Sequence, residues 1–361
     1  MPHRNLIRNP MTMHRRKFIR SSVGWLAAAS AGQNRAFQNS IFQKAQTPLR
    51  IQTVSGSLDA QKMGLTLIHE HILVDFIGAD KTNASRWNRD AVVAKVLPYL
   101  LEIKALGCQT LIECTPSYLG KDPVLLKRLA DESGLQIMTN TGYYGAVQNK
   151  FLPPHAFTET AGQLAARWIR EHRKGIEGTK IRPGFMKISV EPGQLSEMHQ
   201  KLIRAAARTH LKTGLTIASH TGFATPAFGQ IEILKREGVH PQAFIWVHAQ
   251  NERNKEKYIE AAEMGTWISL DGLSDENTDE YLRMLHFMRD RQLWHRTLVS
   301  HDAGWYRPEE PGGGEFRPFT TLFTKLIPLL KANGFTQEEI DKLLVANPME
   351  AFAIRVRPLG G

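Results

Sequence analysis

From residue 51 onward the sequence alternates eight times between a short apolar, β-branched run and a longer amphipathic stretch, which is the pattern of βα units. The predicted strands cover residues 65–69, 110–113, 136–140, 184–190, 215–219, 243–247, 266–270 and 297–300. Helix starts are marked by Asp122-Pro123 and Thr225-Pro226, each an N-cap followed by proline at the first helical position, and by a capping box from Thr336 to Glu339. Gly107, Gly134, Gly214, Gly238 and Gly265 stand where a helix ends before the next strand, the place for a left-handed cap. Eight such units predict an α/β fold, a single-domain (β/α)8 TIM barrel over residues 51–361, rather than an open doubly wound sheet. No G-x-G-x-x-G follows the first strand, and the run Gly312 to Gly314 comes after the last one, where it reads as a flexible lid rather than a phosphate cradle.

The net charge of +11 suggests a polyanionic partner until its distribution is examined. Residues 1–50 hold nine Lys and Arg and no Asp or Glu; taking those nine from 46 leaves 37 basic against 35 acidic residues, so the remainder is nearly neutral and nucleic acid is not expected. Arg15-Arg16-Lys17-Phe18-Ile19-Arg20 resembles a twin-arginine export motif, is followed by a mildly apolar run over 23–31, and precedes a candidate cleavage site at Ala29-Ser30-Ala31. Residues 1–50 are therefore expected to be an export signal and linker, and the protein periplasmic. No segment approaches the roughly 18 apolar residues of a membrane span. Cys108 and Cys114 flank a predicted strand, and an extended chain of that length, at roughly 3.3 Å per residue, exceeds disulfide reach; both are expected to be buried thiols.

The chemistry gathers at the strand ends. His69-Glu70-His71 closes the first strand, and residues i and i+2 share a face, so both imidazoles should enter the barrel mouth while Glu70 faces the helices. The fourth strand carries Lys187, the fifth and sixth lead into His220 and His248, and the eighth into His301-Asp302. His301, by alternation, faces away and is given no catalytic part. Singly, each residue reads equally well as a hydrogen-bonded core group. Six at corresponding ends of five strands point to a metal site at the C-terminal rim, where barrel enzymes collect their reactive groups. Imidazole and carboxylate without thiolate suit Zn²⁺, with Mn, Co or Fe as alternatives. An ammonium at Lys187 would be repelled by two dications, so it must be neutral or modified; carbamylation by CO₂ would give two oxygens able to bridge metals roughly 3.5–4 Å apart.

These residues, in this order, resemble the phosphotriesterase family of the amidohydrolase superfamily, over about residues 51–355. The likeness begins with Thr53-Val54-Ser55-Gly56 and Leu65-Thr66-Leu67-Ile68-His69-Glu70-His71, and ends with Asn347-Pro348-Met349-Glu350-Ala351-Phe352. It implies that His69, His71 and Asp302 hold a buried metal, that His220 and His248 hold an exposed one, and that carbamylated Lys187 and a hydroxide bridge them. Two metals lower the pKa of such a water toward neutrality and polarise a C=O or P=O oxygen, and Asp302 is placed to accept the proton.

The chain departs from the organophosphate-degrading members at Asn251 and Gly272, where those carry an acidic residue and a histidine of a proton relay. Its Ser300-His301-Asp302-Ala303 and Thr141-Gly142-Tyr143-Tyr144 resemble the lactonase-like and homology-protein branches. That resemblance puts Tyr144 over the ester oxygen; as an aromatic loop anchor it would have no such role. Trp305, Tyr306 and Arg307 begin a loop expected to overhang the site. The expected function is metal-assisted hydrolysis of a small-molecule carboxylic ester or lactone. A phosphotriesterase is the alternative, and a non-catalytic periplasmic metal- or ligand-binding protein is the alternative of another class. Since the family often dimerises, a homodimer is a candidate assembly.

Overall fold

The computed structural model describes residues 48–360, so the basic leader with its arginine pair lies outside the described residues. Described residues open with an antiparallel hairpin, β1 (Arg50–Thr53) and β2 (Gly56–Asp59). The barrel strands follow: β3 (Thr66–Leu73), β4 (Thr110–Glu113), β5 (Gln136–Met138) with β6 (Asn140–Thr141), β7 (Phe185–Ser189), β8 (Ile217–His220), β9 (Phe244–Val247), β10 (Trp267–Leu270), and β11 (Thr297–Val299) with β12 (Gly304–Tyr306). Neighbours pair in parallel in the orders β12-β3-β4-β5 and β6-β7-β8-β9-β10-β11. Because β5/β6 and β11/β12 are successive pieces of the third and eighth strands, the two sheets are one ring of eight, the (β/α)8 barrel.

Residues alternate between two packing layers. Leu111, Phe244, Trp246 and Ile268 face outward into the layer shared with the helices, while Ile112, Ile245, Val247 and Trp267 face the barrel axis, where Phe185 and Phe352 also pack. Successive strand residues point to opposite faces, so nearly continuous apolar runs are what a sheet covered on both faces requires. Both cysteines are buried and free. No described helix is long and apolar enough to cross a membrane.

The local signals have mixed outcomes. Asp122 caps the helix Pro123–Ser133, Thr336 and Glu339 form the capping box, and all five predicted helix-ending glycines have positive φ. Thr225 is not an N-cap: the helix Ala224–Arg236 starts earlier, and the Glu252 carboxylate accepts from Ala224 N at 2.9 Å in place of a local cap. Nor do residues 304–306 form an overhanging loop. They are β12, paired with His71 and Leu73, which is why β3 runs past the predicted end of its strand. Gly304, at φ +95°, allows this approach, because a Cβ there would lie 1.9 Å from His71 O. The Gly312 to Gly314 run is a turn packed on the Tyr306 ring, with Arg307 N donating to Gly313 O, rather than a lid reaching over the barrel mouth.

Candidate metal centre

At the C-terminal mouth the six predicted ligands lie together around a cavity of roughly 210 Å³. Different devices aim them. Lys187 and His220 follow the inward phase of Phe185 and Ala218 on their strands. His69 does not follow from Ile68, which already faces inward; a register shift in the β3–β4 pairing between Leu67 and Glu70 resets the phase so that His69 and His71 both enter the mouth. His248 likewise follows inward-facing Val247, and a left-handed backbone (φ +60°) turns it back. Asp302 also sits at positive φ (+55°), in the break between β11 and β12. Such conformations are uncommon for residues with a Cβ and persist only where the surroundings enforce them.

Asp271, at the end of β10, organises the imidazoles. Its Oδ2 accepts from His69 Nδ1 at 3.0 Å and Ser269 Oγ at 2.5 Å; its Oδ1 accepts from His248 Nδ1 at 2.7 Å and His248 N at 3.0 Å. Both Nδ1 atoms therefore carry hydrogen, and both Nε2 atoms present lone pairs to the mouth. His69 Nε2 accepts from Lys187 Nζ at 2.9 Å and lies 3.6 Å from Asp302 Oδ1. His248 Nε2 is 2.8 Å from His220 Nδ1. His71 is held through Nδ1 by Thr115 Oγ1 at 2.8 Å and puts Nε2 3.0 Å from Asp302 Oδ1. With its oxygens already filled by protein donors, Asp271 orients the imidazoles instead of ligating; the group of His69, His71 and Asp302 has its free donor atoms close enough for one ion.

The electrostatics follow from enclosure. Burial, then the nearby Lys187 charge, pushes the His69 imidazole down to about 4. Burial, His248 and Lys187 push His220 well below its ordinary value. Burial also lowers His248, but Asp271 outweighs it and the net shift is upward. Burial opposes charge on Asp271 and Asp302, yet the surrounding imidazoles hold both carboxylates well below the usual range. Lys187 is 1% exposed and, among the described residues, has no carboxylate within 4.0 Å. Four imidazoles and a carboxylate thus line one cavity with an enclosed amine, a donor set that fits two divalent cations.

Apart from Lys150, the rest of the cavity lining is apolar or aromatic. Val74, Phe76, Leu119, Phe151, Tyr144 and Trp305 form one cluster beside the imidazoles. Tyr144 lies over His220 with ring centroids 5.2 Å apart, and Trp305 meets His71 edge-on at 5.8 Å. Burial raises the Tyr144 phenol, so it stays protonated and able to donate. Tyr143 instead bonds His155 outside the cavity. Of the three predicted overhanging residues only Trp305 lines the site; Tyr306 is buried and Arg307 pairs with Glu310. His301 faces away as expected, bonded to Glu70 and Leu322. Sequence reasoning gave no role to Asp271 or Thr115, although Asp271 closes a barrel strand as the ligands do.

Comparison with known proteins bears on this site. The family model for the phosphotriesterase family matches residues 49–352. A phosphotriesterase homology protein of Escherichia coli is 28% identical, covering 80% of this chain and 98% of that protein. An aryldialkylphosphatase of Saccharolobus solfataricus is 26% identical over 82% and 97% of the two chains, and a human N-acetyltaurine hydrolase 23% identical over 83% and 97%. The crystal structure of the Escherichia coli homology protein, complexed with phosphate in its active site, superposes with a TM-score of 0.69 at 26% identity, covering 81% of this chain and 99% of that one.

Proposed function

The chain belongs to the phosphotriesterase family, and from that premise we propose that it is a binuclear metal-dependent hydrolase of carboxylic esters or lactones. His69, His71 and Asp302 would hold one metal, His220 and His248 the other, with carbamylated Lys187 shared between them. Bound there, two divalent cations, zinc by choice of donors, supply an activated water and polarise the substrate oxygen. The chain's own residues do the rest. Asp302, partly open to the cavity at 24% exposure, accepts the proton; Tyr144 donates to the ester oxygen; the aromatic wall excludes water.

One observation carries the metal reading: the Lys187 amine is buried 2.9 Å from His69 Nε2 with no carboxylate within 4.0 Å among the described residues. A bare ammonium there bears a large desolvation cost, which an anionic carbamate between cations would remove. A phosphotriester as principal substrate is the second reading, favoured by the likeness to an aryldialkylphosphatase.

Metal-reconstituted protein assayed against lactones, aryl esters, an N-acyl amide and paraoxon tests the proposal. We expect about two metals per chain and the highest kcat/KM on esters or lactones. A ratio strongly favouring paraoxon reverses the order, and tight metal binding without turnover on any of them leaves a binding protein. The leader around Arg15 and Arg16 extends the proposal to export into the periplasm; replacing both arginines by lysine should hold the protein in the cytoplasm, and unchanged fractionation would remove that part.

A further inference from the structure

The segment after the third barrel strand has an unusual backbone. Val147, Gln148 and Asn149 are three consecutive residues at φ +58°, +56° and +62°. Non-glycine residues visit this region singly, and a β-branched one there is an outlier. The turn is fastened to the strand that bears Lys187: Ala146 N donates to Ser189 Oγ at 2.8 Å, and Gln148 N to Glu191 Oε1 at 2.6 Å. On its far side Ala79 N donates to Lys150 O at 3.1 Å. Strain held in place from both sides puts Val147, which is 52% exposed, and Lys150 on the cavity lining.

Among the described residues, Lys150 is the one charged residue of that lining apart from the candidate metal ligands. Its ammonium lies 5.5 Å from the centre of the Phe151 ring, and Phe151 in turn meets Tyr144, which lies over His220. Among the described residues no carboxylate comes within 4.0 Å of it. Glu191 is engaged by the Gln148 amide, and Asp80, which shares the space beside Gly78 with the lysine stem, stays beyond that distance. An apolar cavity with few polar groups takes its orientation preference from those groups. Here there are two poles, the metal centre and this cation, with an aromatic wall between them.

We propose that Lys150 determines specificity by receiving the anionic end of a substrate whose apolar chain lies on the Phe151 and Tyr144 rings, with the scissile ester or lactone at the other end. The substrate class is then a monoanionic acyl compound, charged at the end remote from the bond that breaks. The proposal rests on the hydrolase reading for the metal centre. The left-handed turn fixes the separation of the two poles, and so selects chain length.

The test uses metal-loaded wild type, Lys150→Met and Lys150→Arg with 4-nitrophenyl half-esters of succinate, adipate and suberate, each beside its neutral methyl ester. Wild type should prefer the anion at one chain length. Lys150→Met should reduce the anion-to-neutral ratio of kcat/KM about fivefold through KM, as for a solvent-accessible charge pair, and Lys150→Arg should restore it. High salt should mimic the Met variant. An equal ratio in wild type and Lys150→Met overturns the proposal while leaving the hydrolase reading intact. If wild type turns over none of these esters, calorimetric binding of monomethyl adipate decides separately: weaker binding to Lys150→Met keeps the anion site without the hydrolase, and equal binding removes both.

Discussion

Glu70 accepts a hydrogen bond from His301 Nδ1 at 2.7 Å on the face of β3 opposite the two metal-directed histidines. Leu322 N donates to His301 Nε2, so the ring proton is on Nδ1. The same carboxylate accepts from Ser300 Oγ, His301 N and Ala303 N, spanning the gap between β11 and β12 alongside the backbone bonds from Asp302 N to His69 O and from His71 N to Ala303 O. Glu70 thereby ties down the segment that holds Asp302. Glu70→Gln, which sets an amide donor against these donors, should cost on the order of 2–3 kcal/mol and lower metal occupancy as well. Urea unfolding and metal analysis check it; unchanged values for both would show that the gap closes without the carboxylate.

Asp271 should matter to metal affinity without being a ligand. Asp271→Asn leaves one amide donor facing an imidazole N–H, so one of His69 and His248 must turn or change tautomer. Loss of such an orienting partner typically lowers affinity about 10- to 100-fold. Competition with a chromophoric chelator measures this, and an unaltered affinity would mean that packing alone orients the rings.

The repeating pattern made the barrel legible, and the rim rule brought together the residues of the candidate site. What alternation did not show is how two of those residues reach the mouth. Ile68 and Val247 face inward, so strict alternation sends His69 and His248 outward; a bulge corrects the first and a left-handed residue the second. Both are local backbone departures enforced by tertiary contacts, for which a single sequence carries no periodic mark. The strand at 304–306 was hidden for a related reason, since its pairing depends on a glycine meeting His71 O across more than 200 residues of chain.

The relay positions differ from the organophosphate-degrading pattern in space as well as in identity. A Cβ at Gly272 would lie 2.7 Å from Gln250 Nε2 and 3.4 Å from the Tyr281 hydroxyl, and Gln250 Oε1 already accepts from Asp271 N. Asn251→Asp with Gly272→His should therefore leave paraoxon kcat/KM no higher than wild type, because the imidazole has no room. Adding Gln250→Ala should be required for any gain. A tenfold increase in the double variant alone would show that Gln250 yields freely.

Acid stability should report on His210, remote from the metal centre. Its Nδ1 donates to Leu215 O and its Nε2 accepts from Arg357 N, joining a helix end to the C-terminal segment. Burial, opposed by the Leu215 carbonyl and aided by Arg357, lowers this imidazole to about 4. The unfolded chain, with an ordinary value near 6.5, binds the proton more readily, so the neutral ring contributes stability above pH 6.5 that is lost as pH falls toward 4. The linkage amounts to about 2 kcal/mol by pH 5 and about 3 kcal/mol by pH 4. His210→Asn should be less stable at pH 7.5 but lose correspondingly less on acidification. Urea unfolding of both proteins at equal metal content gives the difference, and parallel pH curves would assign the acid sensitivity to other groups.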